Sequence, residues 1–360
     1  MSVTMKDIAL MAGVSQQAVS AALNGNSHSR VSEQTRRKIL KLAEELNYVP
    51  NAAAAALSGR DSRTVGIMAA NLDGLNGCLV EELTWLLARS GCNAVTTFFA
   101  ASIFDASKAV AALASRGVRG IIALDAQSRD KLLKLLPVPS VFSFGDAAGK
   151  FDVLTDHGRI AGLAVEHLVE VHGHRRLGFV TPLENSNNTK YHGFCAALRA
   201  CGIEPEPAWE IILRHIGGNA EKLFQYLKQH GITAIFASND YVGCKIVKAA
   251  MQHGVRVPED LAVIGCDGYS FTEFNAVSLT TVVQPVRERA KTIIRLLEQR
   301  IERNEMKPPP AGIMLEPVLH IGGSCGCKEP IVNDLYQLNT FSLLERDEKM
   351  NFYKADNETT

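Results

Sequence analysis

The chain has 360 residues, 46% apolar and 21% charged, with 38 basic and 38 acidic side chains in balance. That length suggests two or three folding units, the composition is ordinary for a globular chain with buried cores, and zero net charge excludes a global pull toward polyanions or membranes. No stretch approaches the roughly 18 uninterrupted apolar residues of a membrane span, and no basic segment followed by an apolar run opens the chain, so a cytoplasmic protein is expected.

The charge is unevenly placed. Residues 1–60 carry seven basic side chains against four acidic ones, a local excess of the kind that faces a phosphate backbone. Thr4-Met5-Lys6-Asp7 reads as a helix start, a hydroxyl cap with a carboxylate three residues on, and Ile8, Ala9 and Ala12 then share one face. Gly13 supplies the positive φ of a tight turn. Ser15 opens a second helix with Ala18, Val19, Ala22 and Leu23 inward, and Asn24-Gly25 closes it. A third helix begins near Ser32, carries Ile39, Leu42, Ala43 and Leu46, and stops at Tyr48-Val49-Pro50. Two short helices joined by a glycine turn and braced by a third make a helix-turn-helix. The outer face of the second helix shows Ser15, Gln16, Gln17, Ser20 and Ala21 in place of the Lys and Glu of a plain bundle. Amides bond bidentately to adenine, and an alanine touches a thymine methyl.

The segments DIALMAGVSQQAVSAALNG, VSEQTRRKIL and LNYVPNAAAAAL resemble the DNA-binding domain of the LacI/GalR family of bacterial repressors, and the resemblance runs to about residue 328. It implies that Gln16, Gln17 and Ala21 select the operator sequence. The alanine-rich run Asn51–Leu57 is too short to be helical alone in water. By resemblance it is a hinge helix that forms on DNA, with Leu57 wedged between base pairs in the minor groove. Ala55 stands where the family usually has Arg. The candidate DNA interface is therefore Thr4, Ser15, Gln16, Gln17, Ser20, Ala21, Asn24, Ser32, Asn51 and Leu57.

Beyond Arg60-Asp61-Ser62-Arg63 the pattern alternates short β-rich runs with helices. Strands are expected near residues 65–70, 94–99, 120–124, 140–144, 177–181, 211–213, 234–238, 261–266 and 280–284. Helices are expected near 79–90, 160–171, 190–200 and 241–253. Such alternation means βαβ units, and this much of it means two doubly wound parallel sheets. The fold class expected is an all-α helix-turn-helix head plus an α/β two-lobed core that resembles periplasmic binding proteins. The expected domains are 1–50 (head), 51–60 (hinge), 61–328 (core) and 329–360 (a polar tail). Within the core, 61–157 join 285–315 in one lobe, and 158–284 join 316–328 in the other.

Ligands of such folds bind at the carboxyl ends of strands, where this chain places Asn71, Asp73, Asp125, Asp156, the Thr181–Asn188 loop, Ser238, Asn239, Asp240, Asp267 and Gln284. Each alone is more readily a helix cap, the commoner role for an Asp or Asn after a strand. Together they suggest a cleft that pairs amides and carboxylates with the hydroxyls of a sugar-like molecule. The runs HLVEVHGHRRLGFVT, AIFASNDYVGCKIVKAAMQHGVRVPEDLAVIGCDG and LTTVVQP carry the family resemblance here. It implies effector contacts at Asp156, Asn239 or Asp240, and Asp267. Lys190 stands where the family usually has a ligand-gripping Arg, and NLDGLNGC departs from the family's first loop. The candidate effector site is Asn71, Asp73, Asp156, Lys190, Asn239, Asp240, Asp267 and Gln284.

The eight cysteines are scattered and read as reduced, buried thiols. Cys325-Gly326-Cys327 is one close pair, too few ligands for zinc without companions. His172-Gly173-His174 has metal-like spacing, but Gly173 reads as a helix C-cap and the following Arg residues suit a helix end. No metal, cofactor or catalytic constellation is expected. The partners expected are palindromic double-stranded operator DNA, a sugar-like effector and a second copy of the chain. The alternative is a transport-linked sugar-binding protein, which shares the two-lobed fold but has no use for the head.

Overall fold

A computed structural model describes residues 3–23, 31–46, 48, 62–72, 74–99, 103–124, 129–144, 150–182, 189–306 and 312–328. They fall into two compact units, divided after Ser62. The hinge segment 51–60, with Asn51 and Leu57, lies outside the described residues, as do Asn24, Asp73, Asp125, most of the 181–188 loop and the tail 329–360.

The head consists of α1 (Met5–Ala12), α2 (Gln16–Leu23) and α3 (Glu33–Glu45). Its helix starts follow from side-chain caps. Thr4 Oγ1 accepts from the Asp7 amide at 3.3 Å while Asp7 Oδ2 accepts from the Thr4 amide at 2.8 Å, a reciprocal capping box. Ser15 Oγ accepts from the Ala18 amide and Ser32 Oγ from the Thr35 amide, each at 3.2 Å. Gly13 sits at φ +72°, which ends α1 and turns the chain into α2. Ile8, Ala9, Ala12, Val19, Ala22, Ile39 and Ala43 form the core. Lys38 Nζ on α3 reaches back to donate to the Ala12 carbonyl at 3.0 Å, so the bracing helix caps the end of α1. Ser20 corrects the sequence reading: it is buried, at 9% exposure, beside Val19 on the core side of α2. A serine is small enough to be tolerated there, and polarity alone misplaced it.

The second unit begins with β1 (Thr64–Ala69), α4 (Leu75–Arg89), β2 (Asn93–Phe98), α5 (Ile103–Ala114), β3 (Gly120–Ala123), α6 (Arg129–Leu133) and β4 (Ser140–Phe142). These strands form a parallel sheet in the order β2-β1-β3-β4. The chain continues through β5 (Val153–Thr155) and α7 (His157–Glu166), which runs into a π-helical turn at His167–Val171. Next come β6 (Leu177–Thr181), α8 (Thr189–Ala200), β7 (Glu210–Ile212), α9 (Ala220–Gln229), β8 (Ala234–Ala237), α10 (Asp240–Gln252), β9 (Ala262–Asp267) and β10 (Thr280–Val283). After α11 (Val286–Arg303), β11 (Ile313–Leu315) pairs in parallel with β5, and β12 (Val318–His320) adds antiparallel to β10. The larger sheet reads β12-β10-β9-β8-β6-β7. The two sheets and their helices are the expected α/β lobes. The three-residue strands β5, β11 and β12 are additions to the strands expected from the sequence.

Each lobe has its own apolar core. Residues of α7, α8 and β6–β10 surround Phe179, Phe194 and Phe236, and α11 packs with α4 against the first sheet through Ile293 and Leu297. The chain therefore passes between lobes three times: after β5, after β10 and after β11. The first lobe also holds a buried ion network. Asp152 accepts from Arg129 at 2.6 Å, from Arg300 at 2.7 Å and from the Phe142 amide at 2.8 Å.

Candidate functional site

On the head, Gln16 and Gln17 are exposed at the start of α2, directly after the Ser15 cap, and Ala21 is half-buried one turn further on. Thr4 and Ser32 are exposed caps whose oxygens already serve their own helices. The helix start therefore presents two amide side chains on a rigid, three-helix base.

In the second unit a cleft of about 870 Å³ opens between the lobes. The first lobe contributes Asn71, Leu72, Gly74, Gly77 and Cys78; the second contributes Asn239, Tyr241, Asp267, Tyr269, Ser270 and Phe271. The Tyr269 and Phe271 rings stack at 5.0 Å with 13° between their planes, and Tyr241 leans on Phe271 at 4.8 Å. Polarity at the strand ends gives no sign of this aromatic wall. Its signal was the GYSF run that follows Asp267 at the end of β9. The Tyr269 hydroxyl is buried and makes no hydrogen bond among the described residues.

Asp267 is the polar centre. It ends β9 with φ at 117°, a backbone region that residues other than glycine rarely occupy and one that costs of order 1–3 kcal/mol. Its Oδ1 accepts from Gln284 Nε2 at 2.9 Å and lies 3.5 Å from Lys190 Nζ. Lys190, at the start of α8, also donates to the Ser238 carbonyl at 2.8 Å. Lys190 and Gln284 thus sit behind the cleft wall and fix the Asp267 carboxylate.

Two of the remaining predicted residues act as helix caps. Asp156 Oδ1 accepts from the Arg159 amide and starts α7; Asn239 Oδ1 accepts from the Val242 amide and starts α10, while Asn239 also lines the cleft. Asn71 lines the opposite wall. Asp240 corrects the reading. It is wholly buried, and its carboxylate accepts from the Gly268 amide at 2.7 Å, the Tyr269 amide at 2.9 Å and the Thr281 hydroxyl at 2.5 Å. It braces the turn that carries Tyr269 and has no path to a ligand. Burial, and then the Asp267 charge, push its carboxyl up to about 8, against the pull of the three donors. At the lobe junction, His157 bonds Thr189 Oγ1 through Nδ1 at 2.8 Å; burial first, and then Lys190 and Arg289, hold it down at about 3, so it stays neutral.

One group lies away from the cleft. The pair Cys325 and Cys327, without companions nearby in the sequence, meets His167 and His172 in the fold. His174, which shared the suggestive spacing, instead bonds Thr233 Oγ1 at 2.9 Å.

Residues 4–51 match the profile described as bacterial regulatory proteins, lacI family, and residues 165–325 match a periplasmic binding protein-like domain. The HTH-type transcriptional repressor PurR of Aliivibrio salmonicida (strain LFI1238) is 29% identical over 314 residues, covering 83% of this chain and 92% of the relative. The lac repressor dimer bound to operator and the anti-inducer ONPF has a TM-score of 0.77 at 26% identity, covering 90% of this chain and 99% of that one. The lac repressor bound to ONPG in the repressed state gives 0.75 at 25% identity over 90% of this chain and all (100%) of the other. These relatives are DNA-binding repressors, which sets aside the transport-linked alternative. No described helix is long and apolar enough to cross a membrane.

Proposed function

We propose that the chain is a homodimeric repressor of the LacI family of bacterial regulatory proteins, whose operator affinity is set by a sugar-like effector in the inter-lobe cleft. The observation that carries this reading is the cleft itself. An aromatic wall and the pinned Asp267 carboxylate face Asn71 from the other lobe, so one bound molecule bridges both lobes. A sugar ring offers an apolar C–H face to Tyr241, Tyr269 and Phe271 and hydroxyls to Asp267, Asn239 and Asn71. Differential binding to the open and closed arrangements then shifts their equilibrium.

At the other end, Gln16 and Gln17 read base edges in the major groove and Ala21 makes an apolar contact. Two-fold symmetry gives a palindromic operator. Residues 51–60 act as the hinge, with Leu57 as the minor-groove wedge. We place the protein in the cytoplasm, where its DNA is, and assign it no catalytic role.

The test selects bound sequences from random duplexes with the full chain at fixed salt, since electrostatic affinity depends on salt. A palindromic consensus is expected. No preference over salt-matched competitor DNA refutes the repressor reading. For the effector, thermal shift of the full chain is measured against sugars, sugar phosphates and nucleobases. Stabilisation by sugars is expected, and stabilisation by nucleobases alone overturns the sugar assignment.

A further inference from the structure

On the second lobe, far along the chain from one another, four side chains converge. His167 Nε2 lies 3.2 Å from His172 Nε2, 3.4 Å from Cys325 Sγ and 3.5 Å from Cys327 Sγ. Cys327 Sγ is also 3.4 Å from His172 Nε2, and all four ligand atoms lie within 4.8 Å of one another. These are the edges of a small tetrahedron. A zinc ion with Zn–N of about 2.0–2.1 Å and Zn–S of about 2.3 Å needs N···N near about 3.4 Å and N···S near about 3.5 Å. The four measured edges fall within a few tenths of an ångström of those lengths.

Local backbone geometry builds the cluster. On a regular α-helix, residues five apart point about 140° away from each other. Here α7 changes to a π-helical turn over His167–Val171, whose bonding pattern spans five residues and brings His167 and His172 to one side. The loop that follows β12 supplies the other half. Gly326 sits at φ +102°, so the chain reverses between the cysteines and both sulfurs face the histidines. The His172 ring lies so close to Gly326 that a Cβ there would come within 3.3 Å of Nδ1. Cys325 is buried and the other three are half-buried, so the ligand set is shielded without being sealed.

We propose that His167, His172, Cys325 and Cys327 form a structural site for a Zn(II)-type cation that clasps the end of the sensing domain onto its second lobe. Thiolate and imidazole in equal number select a borderline-soft ion, and four protein ligands leave no open position for chemistry. Binding releases the two thiol protons to solvent. The ion ties residues 325–327, which follow β12, to the end of α7, more than 150 positions earlier.

The full chain, purified without chelator and dialysed against metal-free buffer, is assayed for metal by mass spectrometry; about one zinc per chain is expected. Exchange for Co(II) should give visible tetrahedral bands with thiolate charge-transfer absorption. Cys327→Ser and His172→Ala should each remove the thiolate-rich spectrum and the bound zinc. Should either variant fail to fold, the wild-type chain decides: titrating its thiols with a mercurial in the presence of a zinc indicator should release one ion. Chelation should lower Tm by about 5 °C or more. Substoichiometric metal in the wild type, or a full complement retained by both folded variants, refutes the site. A Cys325–Cys327 disulfide, seen as a thiol count two short of eight in the denatured, unreduced chain and mapped to that pair by peptide mass, would also refute it.

Discussion

Lys190 Nζ stands 3.5 Å from Asp267 Oδ1, with both side chains largely withdrawn from solvent. Because Gln284 donates to the same oxygen, the carboxylate is held from behind and its remaining acceptor capacity is directed to the cleft. Asp267→Ala should therefore weaken effector binding by about 10–100-fold, the scale of a hydrogen bond to a charged group, and leave operator affinity without effector unchanged. Calorimetric titration and a gel shift with and without effector measure the two quantities. An unchanged effector affinity would remove Asp267 from the site.

Asp240 should write itself into the pH dependence of stability. Its carboxyl titrates at 3.8 when unperturbed and at about 8 in the fold, so between those values the folded chain holds a proton that the unfolded chain has released. Stability contributed by that proton is full below about pH 4 and is lost as pH rises toward 8. His157 has the opposite sign: folding lowers it from 6.5 to about 3, so its contribution grows with pH and is complete above about 6.5. Urea midpoints at about pH 6.5 and about pH 8.5 are therefore compared between wild type and Asp240→Asn, to which His157 contributes equally. The wild type should lose stability across this window and Asp240→Asn should lose less. The amide still accepts from Gly268 and Tyr269 and donates to Thr281. Equal losses would mean that Asp240 is ionised throughout.

Removing the Asp152 carboxylate should be severe. It leaves Arg129 and Arg300 buried at 3% exposure each without their shared anion, which by analogy with broken buried pairs costs about 3–5 kcal/mol. Denaturant unfolding of Asp152→Ala checks this; a change below 1 kcal/mol would mean that solvent reaches the guanidiniums.

Gln16→Ala and Gln17→Ala should each relax base preference at one position per half-site, at about 1–3 kcal/mol of discrimination, while the salt dependence of binding stays unchanged. Leu57→Ala should weaken operator binding without altering effector binding. A drop in both would make the segment a structural linker.

The caps and cores of the head were legible because each is local: Thr4, Gly13, Ser15 and Ser32 act within four residues of themselves. The lobes were legible through alternation. Ser20 was not, because a small hydroxyl fits either face of a helix. Asp240 shares its neighbour's chemistry, and only the fold brings Gly268, Tyr269 and Thr281 around it. The aromatic wall was hidden by the expectation that a polar ligand needs polar walls alone. The four-ligand cluster was illegible for two reasons: its halves are far apart in sequence, and an α-helical reading of residues 160–171 sends His167 and His172 to different sides.

The threefold passage of the chain between the lobes has a consequence for integrity. A single proteolytic cut in any one of the three connections leaves the other two covalently continuous and the β5–β11 strand pair in place. A nicked molecule should therefore still run as one particle under native conditions and separate into fragments only in denaturant. The lobes are hinged like a door on three pins: losing one loosens the swing without freeing the leaf.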